Sequence, residues 1–365
     1  MLRILKFFNF IVVKLLEYIF RPFGVRRRAV FVSYFSKDPE GNLRCIMDVM
    51  EENGDMPVVK LFSAYGKGIG AKIAFIGHSI KEVYYYSTSS LILLEGNSYV
   101  LSVIKKKKSV TAIQVWHAAG AFKKFGADVD RLYEIKGLDY AFVSCPAVCG
   151  IYSGALGIER KNVIPIGIPR ADVLANADFT RNARGYIDHK YPSLKGKKLA
   201  LYAPTFRGKG IDDINEKPVD VLKLTEGLDG WTVALRTHPL MAVGECGVVD
   251  LRDEDLMITL AAADLLITDY SSIIFEYSLL DRPMLFLAPD IGDYAEERGF
   301  YFGYSGFVPG RICRTETEVR DAISRRDFCI EKRRDFCGRF TYGFDGSATE
   351  RAVELCMELI GKKAE

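Results

Sequence analysis

Leu265-Leu266-Ile267-Thr268-Asp269-Tyr270-Ser271-Ser272-Ile273-Ile274-Phe275 changes character twice within eleven residues. Its first four residues read as a buried strand. A polar turn follows, and Ile273, Ile274, Phe275, Tyr277, Leu279 and Leu280 read as the helix after it. Asp and Ser ahead of such a run are helix N-cap residues. The same turn offers free N–H groups at the positive end of a helix, which suits an anion. Capping needs one hydroxyl, whereas Thr268, Ser271 and Ser272 offer three.

The strand–turn–helix pattern repeats outward in both directions. Upstream strand candidates are Val30–Tyr34, Val58–Phe62, Leu91–Leu94, Val110–Val115, Tyr140–Ser144 and Val163–Ile166. After a polar break at His189 to Lys198 come Leu199–Ala203, Thr232–Arg236, the opening Leu265–Thr268, and Met284–Leu287. Strands alternating with helices predict an α/β fold with parallel, doubly wound sheets, here twice over. A chain of 365 residues is long for one domain and comfortable for two. The expected division is a segment 1–28, a first Rossmann-like domain 29–190, and a second 191–365 that includes the terminal helix. Pro192, Gly196 and the charged Lys195, Lys197 and Lys198 mark the linker.

Ligands of open parallel sheets bind outside the carboxyl ends of the strands, and the distinctive segments all fall there. His117, in Gln114-Val115-Trp116-His117-Ala118-Ala119-Gly120, follows the strand ending at Val115. Lys123-Lys124-Phe125-Gly126 comes next. Arg207 closes Tyr202-Ala203-Pro204-Thr205-Phe206-Arg207, and Arg236-Thr237-His238-Pro239 ends another strand. Pro239 holds His238 away from helix. Arg carries the planar fork suited to phosphate oxygens. Histidine is the side chain whose unperturbed proton affinity suits acid–base work near neutrality, and only four occur in the chain. His117 and His238 therefore point to chemistry on a phosphate, whereas His78 and His189 read as surface residues. The bland alternatives are a capped turn at Ser271–Ser272, a loop-closing His238 and a surface Arg207.

The N-terminal twenty residues are apolar but interrupted by Lys6, Lys14 and Glu17, too charged for a spanning helix. On a helical wheel Arg3, Lys6, Asn9, Lys14, Glu17 and Arg21 fall within an arc of about 140°. The rest is a wide apolar face, as an in-plane interfacial helix requires. Arg26-Arg27-Arg28 follows and suits anionic headgroups. The alternative is a helix packed on the protein's own core or on a second subunit. Lys105 to Lys108 form a second basic run, read as a solvated loop.

A formal net charge of +3 gives no footprint for nucleic acid. Eight cysteines occur without Cys-x-x-Cys or zinc-ligand spacing, which predicts a reducing compartment and no structural metal. No Gly-x-x-x-x-Gly-Lys-Ser/Thr is present, excluding a P-loop, and Gly66-Lys67-Gly68-Ile69-Gly70 reads as loop.

Together these segments resemble the CDP-glycerol glycerophosphotransferase family, the teichoic-acid primases and polymerases, over roughly Val110 to Arg351. The resemblance rests on the Trp-His segment with its Lys-Lys-x-Gly, Gly167-Ile168-Pro169-Arg170, Tyr-Ala-Pro-Thr-x-Arg, Arg-x-His-Pro and Asp-Tyr-Ser-Ser. It continues through Asp281-Arg282-Pro283, Arg298-Gly299-Phe300-Tyr301-Phe302 and Asp345-Gly346-Ser347-Ala348.

It implies a GT-B fold and metal-independent transfer of glycerol phosphate from CDP-glycerol to an undecaprenyl-diphosphate-linked disaccharide, releasing CMP, with no cofactor. His117 falls on the family's catalytic base and His238 on its His-Pro histidine. Arg207, Arg236, Thr268, Asp269, Ser271, Ser272 and Lys123 become the expected substrate-binding residues. Ala118-Ala119-Gly120 is more primase-like than the polymerases' Trp-His-Gly, and the length fits a primase. Gly303 replaces a frequent Asp and Ala171 a frequent Asn.

The expected place of work is the cytoplasmic face of the membrane, held peripherally; homo-oligomerisation is left open. The competing readings are a polyol-phosphate polymerase of teichoic acid or capsule, a CMP-sialic-acid-type GT-B transferase, and an inactive scaffold for lipid-linked intermediates.

Overall fold

The computed structural model describes the chain apart from residues 1, 39, 64–67, 131–132, 206, 208–218, 238–246 and 365. Among the described residues, twelve strands form two six-stranded sheets. The first sheet holds β1 Arg26–Ser33, β2 Val58–Phe62, β3 Ser89–Leu94, β4 Thr111–Val115, β5 Tyr140–Val143 and β6 Val163–Pro165. The second holds β7 Lys198–Ala203, β8 Trp231–Leu235, β9 Val249–Asp250, β10 Leu265–Thr268, β11 Met284–Leu287 and β12 Arg311–Cys313. Every pairing is parallel.

All ten expected strands form, most with ends moved by a residue or more. The two that the pattern misses, β9 and β12, are edge strands of two and three residues. They are too short for periodicity to register. Central strands are buried on both faces, as β3 is at all six positions, which is why they read as continuous apolar runs.

Strand order is β2-β1-β3-β4-β5-β6 in the first sheet and β12-β11-β10-β7-β8-β9 in the second. The direction of winding reverses between β1 and β3, and between β7 and β10. Those two reversals are the switch points at which open α/β sheets take their ligands.

Two compact units result, and they divide elsewhere than the polar break at His189–Lys198 suggests. One comprises Met1–Ala119, Phe125–Arg170 and Ser347–Glu365; the other Gly120–Lys124 and Ala171–Gly346. The expected boundary after residue 190 is thus corrected to Arg170, and the terminal helix moves to the first unit. Helix Ala177–Lys190 precedes β7 yet belongs with it. Arg184 reaches Asp264 at 3.2 Å and donates to the carbonyls of Leu194 and Lys197 at 3.1 and 2.5 Å. Helix Ala348–Ala364 belongs to the first unit. Its Ala352, Val353, Cys356 and Leu359 share a core with Leu43, Ile46, Met47 and Met50 of helix Asn42–Asn53.

The N-terminal helix Leu2–Phe20 forms, and no helix among the described residues is long and apolar enough to cross a membrane. Its inward face is not the wide apolar one. Val13 is fully buried, Leu16 and Phe20 pack on the first unit's core, and Asn9 is only 8% exposed. Glu17 accepts from the Lys105 backbone N–H and from Lys14, both at 2.9 Å. The polar strip therefore turns partly inward, while Phe10, Ile11, Leu15, Tyr18 and Ile19 remain on the surface.

Candidate active site

At the second sheet's switch point β7 and β10 lie side by side, with Thr268 opposite Ala203. Thr268 is fully buried and its hydroxyl donates to the Ala203 carbonyl at 2.7 Å. That bond ties the two strand ends together. Asp269, 2% exposed, comes next. Its Oδ1 accepts from the backbone N–H of Thr205 at 2.8 Å and of Tyr270 at 2.6 Å. One carboxylate thus fixes both loops that leave the switch point.

Arg207 stands in a frame of carboxylates. Nε donates to Asp290 Oδ2 at 2.7 Å and Nη2 to Asp290 Oδ1 at 3.1 Å. Nη1 donates to Asp269 Oδ2 at 2.8 Å and to the Thr205 carbonyl. Its plane lies over the rings of Tyr270 and Tyr294, 4.8 and 5.1 Å from their centroids. Tyr270 also donates its hydroxyl to Asp290 at 2.9 Å. Burial alone would pull the guanidinium down, but the two carboxylates hold it well above its ordinary value. Burial would raise Asp290, yet hydrogen bonds from Arg207 and Tyr270 keep it below the usual carboxylate range. With these bonds made, Arg207 ties Asp269, Asp290 and the Thr205 carbonyl together.

Lys123 reaches this frame from elsewhere in the chain. Gly120–Lys124 belongs to the second unit, pinned by three observations. Gly120 has φ +65°, and a Cβ there would lie 2.3 Å from the Phe275 ring, so only glycine fits. Phe122 is 2% exposed, its ring 5.0 Å from those of Phe300 and Phe307. Tyr301 N–H donates to the Phe122 carbonyl, and Lys124 N–H to that of Gly299. Lys123 then points its ammonium to the Tyr294 hydroxyl at 3.5 Å. Burial pulls that ammonium down to about 8; Asp269 opposes the shift, while Arg298 and Arg207 reinforce it.

Ser271 and Ser272 follow Asp269 and are half-buried. Ser271 accepts from the Ile273 N–H at 3.4 Å, while Ser272 makes no side-chain cap bond to helix Ile273–Ser278. Arg236 joins the end of β8 to the segment after β9, donating to the carbonyls of Leu251 and Glu254 at 2.6 and 2.8 Å. His238 lies outside the described residues.

His117 belongs to the first sheet. It follows β4, beside the β1–β3 switch point, and is exposed. Its Nδ1 lies 3.5 Å from the Glu95 backbone carbonyl. A carbonyl only accepts, so in the tautomer with its hydrogen on Nδ1 the ring donates there and keeps the neutral lone pair on Nε2. The imidazole packs against Phe35 and Trp116, with centroids at 5.0 and 4.8 Å. Trp116 in turn packs against Phe125, with centroids at 4.8 Å and planes tilted by 33°. Gly126, with φ +66°, lets that loop close on the Ala155 carbonyl, 2.1 Å from where a Cβ would sit. Asn42 donates to the Trp116 carbonyl at 3.0 Å and accepts from the Arg170 N–H at 3.1 Å. It thereby holds the Trp-His loop to the Gly-Ile-Pro-Arg loop.

Of the other histidines, His189 is exposed as expected. His78 is not a surface residue: its side chain is 11% exposed and its Nε2 lies 3.4 Å from buried Glu82.

Sequence reading passed over Asn42, Glu95, Tyr270, Asp290 and Tyr294. Glu95 directly follows β3, and Asp290 closes Ala288-Pro289-Asp290 after β11. The rule that found His117, a polar residue just past a strand's carboxyl end, would have found both.

Two parallel doubly wound sheets, each with candidate site residues at the strands' carboxyl ends, define an α/β protein of the GT-B-like kind. The chain belongs to the CDP-glycerol:poly(glycerophosphate) glycerophosphotransferase family, whose model matches residues 17–358. It is an enzyme of that transferase class, with teichoic acid primases and polymerases as homologues. It is 34% identical to the teichoic acid ribitol-phosphate primase of Bacillus spizizenii, over 93% of this chain and 92% of that one. It is 29% identical to the teichoic acid glycerol-phosphate primase of Bacillus subtilis, over 78% and 77% of the two chains. Among solved structures it is similar to the wall teichoic acid polymerase TagF, with a TM-score of 0.74, 25% identity, and coverage of 93% and 91%.

Proposed function

We propose that this chain is a primase of wall teichoic acid synthesis. It transfers glycerol phosphate from CDP-glycerol to a hydroxyl of an undecaprenyl-diphosphate-linked disaccharide. The observation that carries the reading is His117 beside the first sheet's switch point, its Nδ1 3.5 Å from the Glu95 backbone carbonyl; as a base it would keep its proton on Nδ1 and its lone pair on Nε2. That nitrogen takes the proton as the acceptor oxygen bonds to the glycerol-bearing phosphorus. The bond from that phosphorus to the bridging oxygen breaks, and CMP leaves with the electron pair.

The second unit binds the donor. Lys123, Ser271, Ser272 and His238 meet the diphosphate, where neutralising charge is the main catalytic task. Arg207, engaged by Asp269 and Asp290, and Arg236, engaged by backbone carbonyls, act by holding the loops that present those groups.

The place of work is the cytoplasmic membrane surface. The outward apolar side chains of helix Leu2–Phe20 support this, as does a cavity of about 190 Å³ in whose lining Arg21 and Lys105 to Lys108 outnumber the one carboxylate, Glu17. An apolar face beside cations is what an anionic bilayer attracts.

A second reading has its own support: the 34% identical relative is named for ribitol phosphate. Assaying the purified chain with CDP-glycerol, CDP-ribitol and CMP-sialic acid separates the readings. CMP release with CDP-glycerol, and a product one glycerol phosphate heavier by mass spectrometry, is expected. Turnover with CDP-ribitol alone moves the assignment to ribitol. Long polymeric product makes the chain a polymerase, and turnover with CMP-sialic acid alone overturns phosphoryl transfer.

A further inference from the structure

The first sheet's switch point holds two side chains that the mechanism above leaves unused. Glu95 follows β3 and is 8% exposed. The Ser33 hydroxyl at the end of β1 and the charge of Arg170 favour its ionised form. Its Oε2 is buried with no hydrogen-bond partner. A buried carboxyl oxygen left so is destabilising until something donates to it. Burial raises the Glu95 carboxyl above the usual range, with Ser33 and Arg170 pulling the other way.

Phe35, two residues past β1, is the opposite kind of group. It is 52% exposed although aromatic, and its ring packs 5.0 Å from that of His117. Room for it is kept by Gly96, where a Cβ would come within 3.1 Å of the ring. An exposed ring packed on the base, and an orphaned carboxyl oxygen on the residue whose backbone carbonyl meets that base, match a polyhydroxyl ligand. Such a ligand offers a C–H face for the ring and hydroxyls for the carboxyl.

We propose that Phe35 and Glu95 form the subsite for the sugar or polyol end of the acceptor, with Phe35 as its platform and Glu95 Oε2 as the acceptor of one of its hydroxyls. The subsite orients the neighbouring hydroxyl toward His117. The proposal rests on His117 being the base of the transfer reaction, and it assigns the acceptor to residues the family motifs do not include.

The test is steady-state kinetics of the full chain. CDP-glycerol serves as donor, and a short-chain alkyl-diphosphate-linked disaccharide as acceptor. Glu95→Gln should raise the acceptor KM about tenfold or more, the scale of a hydrogen bond to a charged group. Phe35→Ala should raise it about tenfold, and Phe35→Tyr should stay within about threefold of wild type because the ring is kept. The KM for CDP-glycerol should hold within about twofold in every variant, and thermal melting checks that each folds.

An unchanged acceptor KM in Glu95→Gln and Phe35→Ala, with wild-type turnover intact, overturns the subsite and leaves the transferase reading standing. So does a fall in kcat alone, which makes both residues positioning groups for His117. A wild-type chain that turns over no CDP-glycerol overturns the reading and the subsite together.

Discussion

The two switch points are built from opposite materials. At the second sheet, charge is met within the site: Arg207 is gripped by Asp269 and Asp290, two tyrosine rings cover its plane, and Lys123 stands nearby. At the first sheet an exposed imidazole lies on aromatic rings, beside a carboxyl with one oxygen unpartnered. The first arrangement costs little to hold a doubly charged diphosphate, because its dipoles and charges are fixed before the ligand arrives. The second suits a neutral hydroxyl that must lose a proton. A site that binds charge wants rigidity; a site that moves a proton wants a titratable group in reach of solvent and substrate.

The largest effect should come from the proton-moving side. His117→Ala should lower transfer by about 10²–10⁴, the ordinary range for a lost general base. CDP-glycerol affinity by calorimetry should stay within about twofold, because no donor-binding role falls to that ring. Weakened donor binding with preserved turnover would invert the assignment of the two switch points.

Arg207→Ala should strike stability first. It leaves Asp269 and Asp290, each with a side chain at most 10% exposed, facing one another without their cation. Breaking a buried pair in this way costs about 3–5 kcal/mol, readable as a lower urea midpoint. Arg207→Lys keeps the charge but not the fork, and should recover only part of the loss. A variant of wild-type stability that has lost donor affinity would mean the guanidinium serves the ligand directly.

Gly120→Ala comes next, at about 2–4 kcal/mol, from a left-handed backbone and a methyl driven into the Phe275 ring. Adding Phe275→Leu should relieve the steric part only. Full stability in Gly120→Ala would show that the pentapeptide carrying Lys123 is not seated as described.

The uneven legibility of the two sites follows from how far their contacts reach along the chain. Strands such as Ser89–Leu94 are buried on both faces, so apolarity alone marks them, and the residues just past their ends are marked by position. His117 and Asp269 were readable for that reason. The role of Arg207 was not, because its partner Asp290 is 83 residues away. A lone Arg in a motif looks the same whether it meets a phosphate or two carboxylates. The transfer of Gly120–Lys124 to the second unit was equally hidden, since it rests on Phe122 meeting Phe300 and Phe307. The N-terminal helix was read as a helix from its phasing. Which face turns inward depended on Lys105, whose backbone N–H donates to Glu17 from 88 residues away.

Lys123 gives the smallest effect and the most direct probe of the charged switch point. Its folded pKa of about 8 lies below the ordinary value of about 10.4 that the unfolded chain restores. Between those values the unfolded state binds a proton that the native state does not, so this residue's contribution to stability improves as pH rises through that window. Below about 8 both states are protonated and the native state bears the full desolvation cost. Lys123→Met keeps the stem and removes the charge. The variant should therefore be more stable than wild type near pH 7.5, with the gap between their urea midpoints closing toward pH 10. A gap independent of pH would show that the ammonium is not desolvated. Saturating CDP-glycerol sharpens the test further: a diphosphate beside Lys123 favours the charged form, raises its pKa and should flatten the difference. Persistence of the pH-dependent gap in the presence of donor would take Lys123 out of the phosphate site while leaving its burial intact.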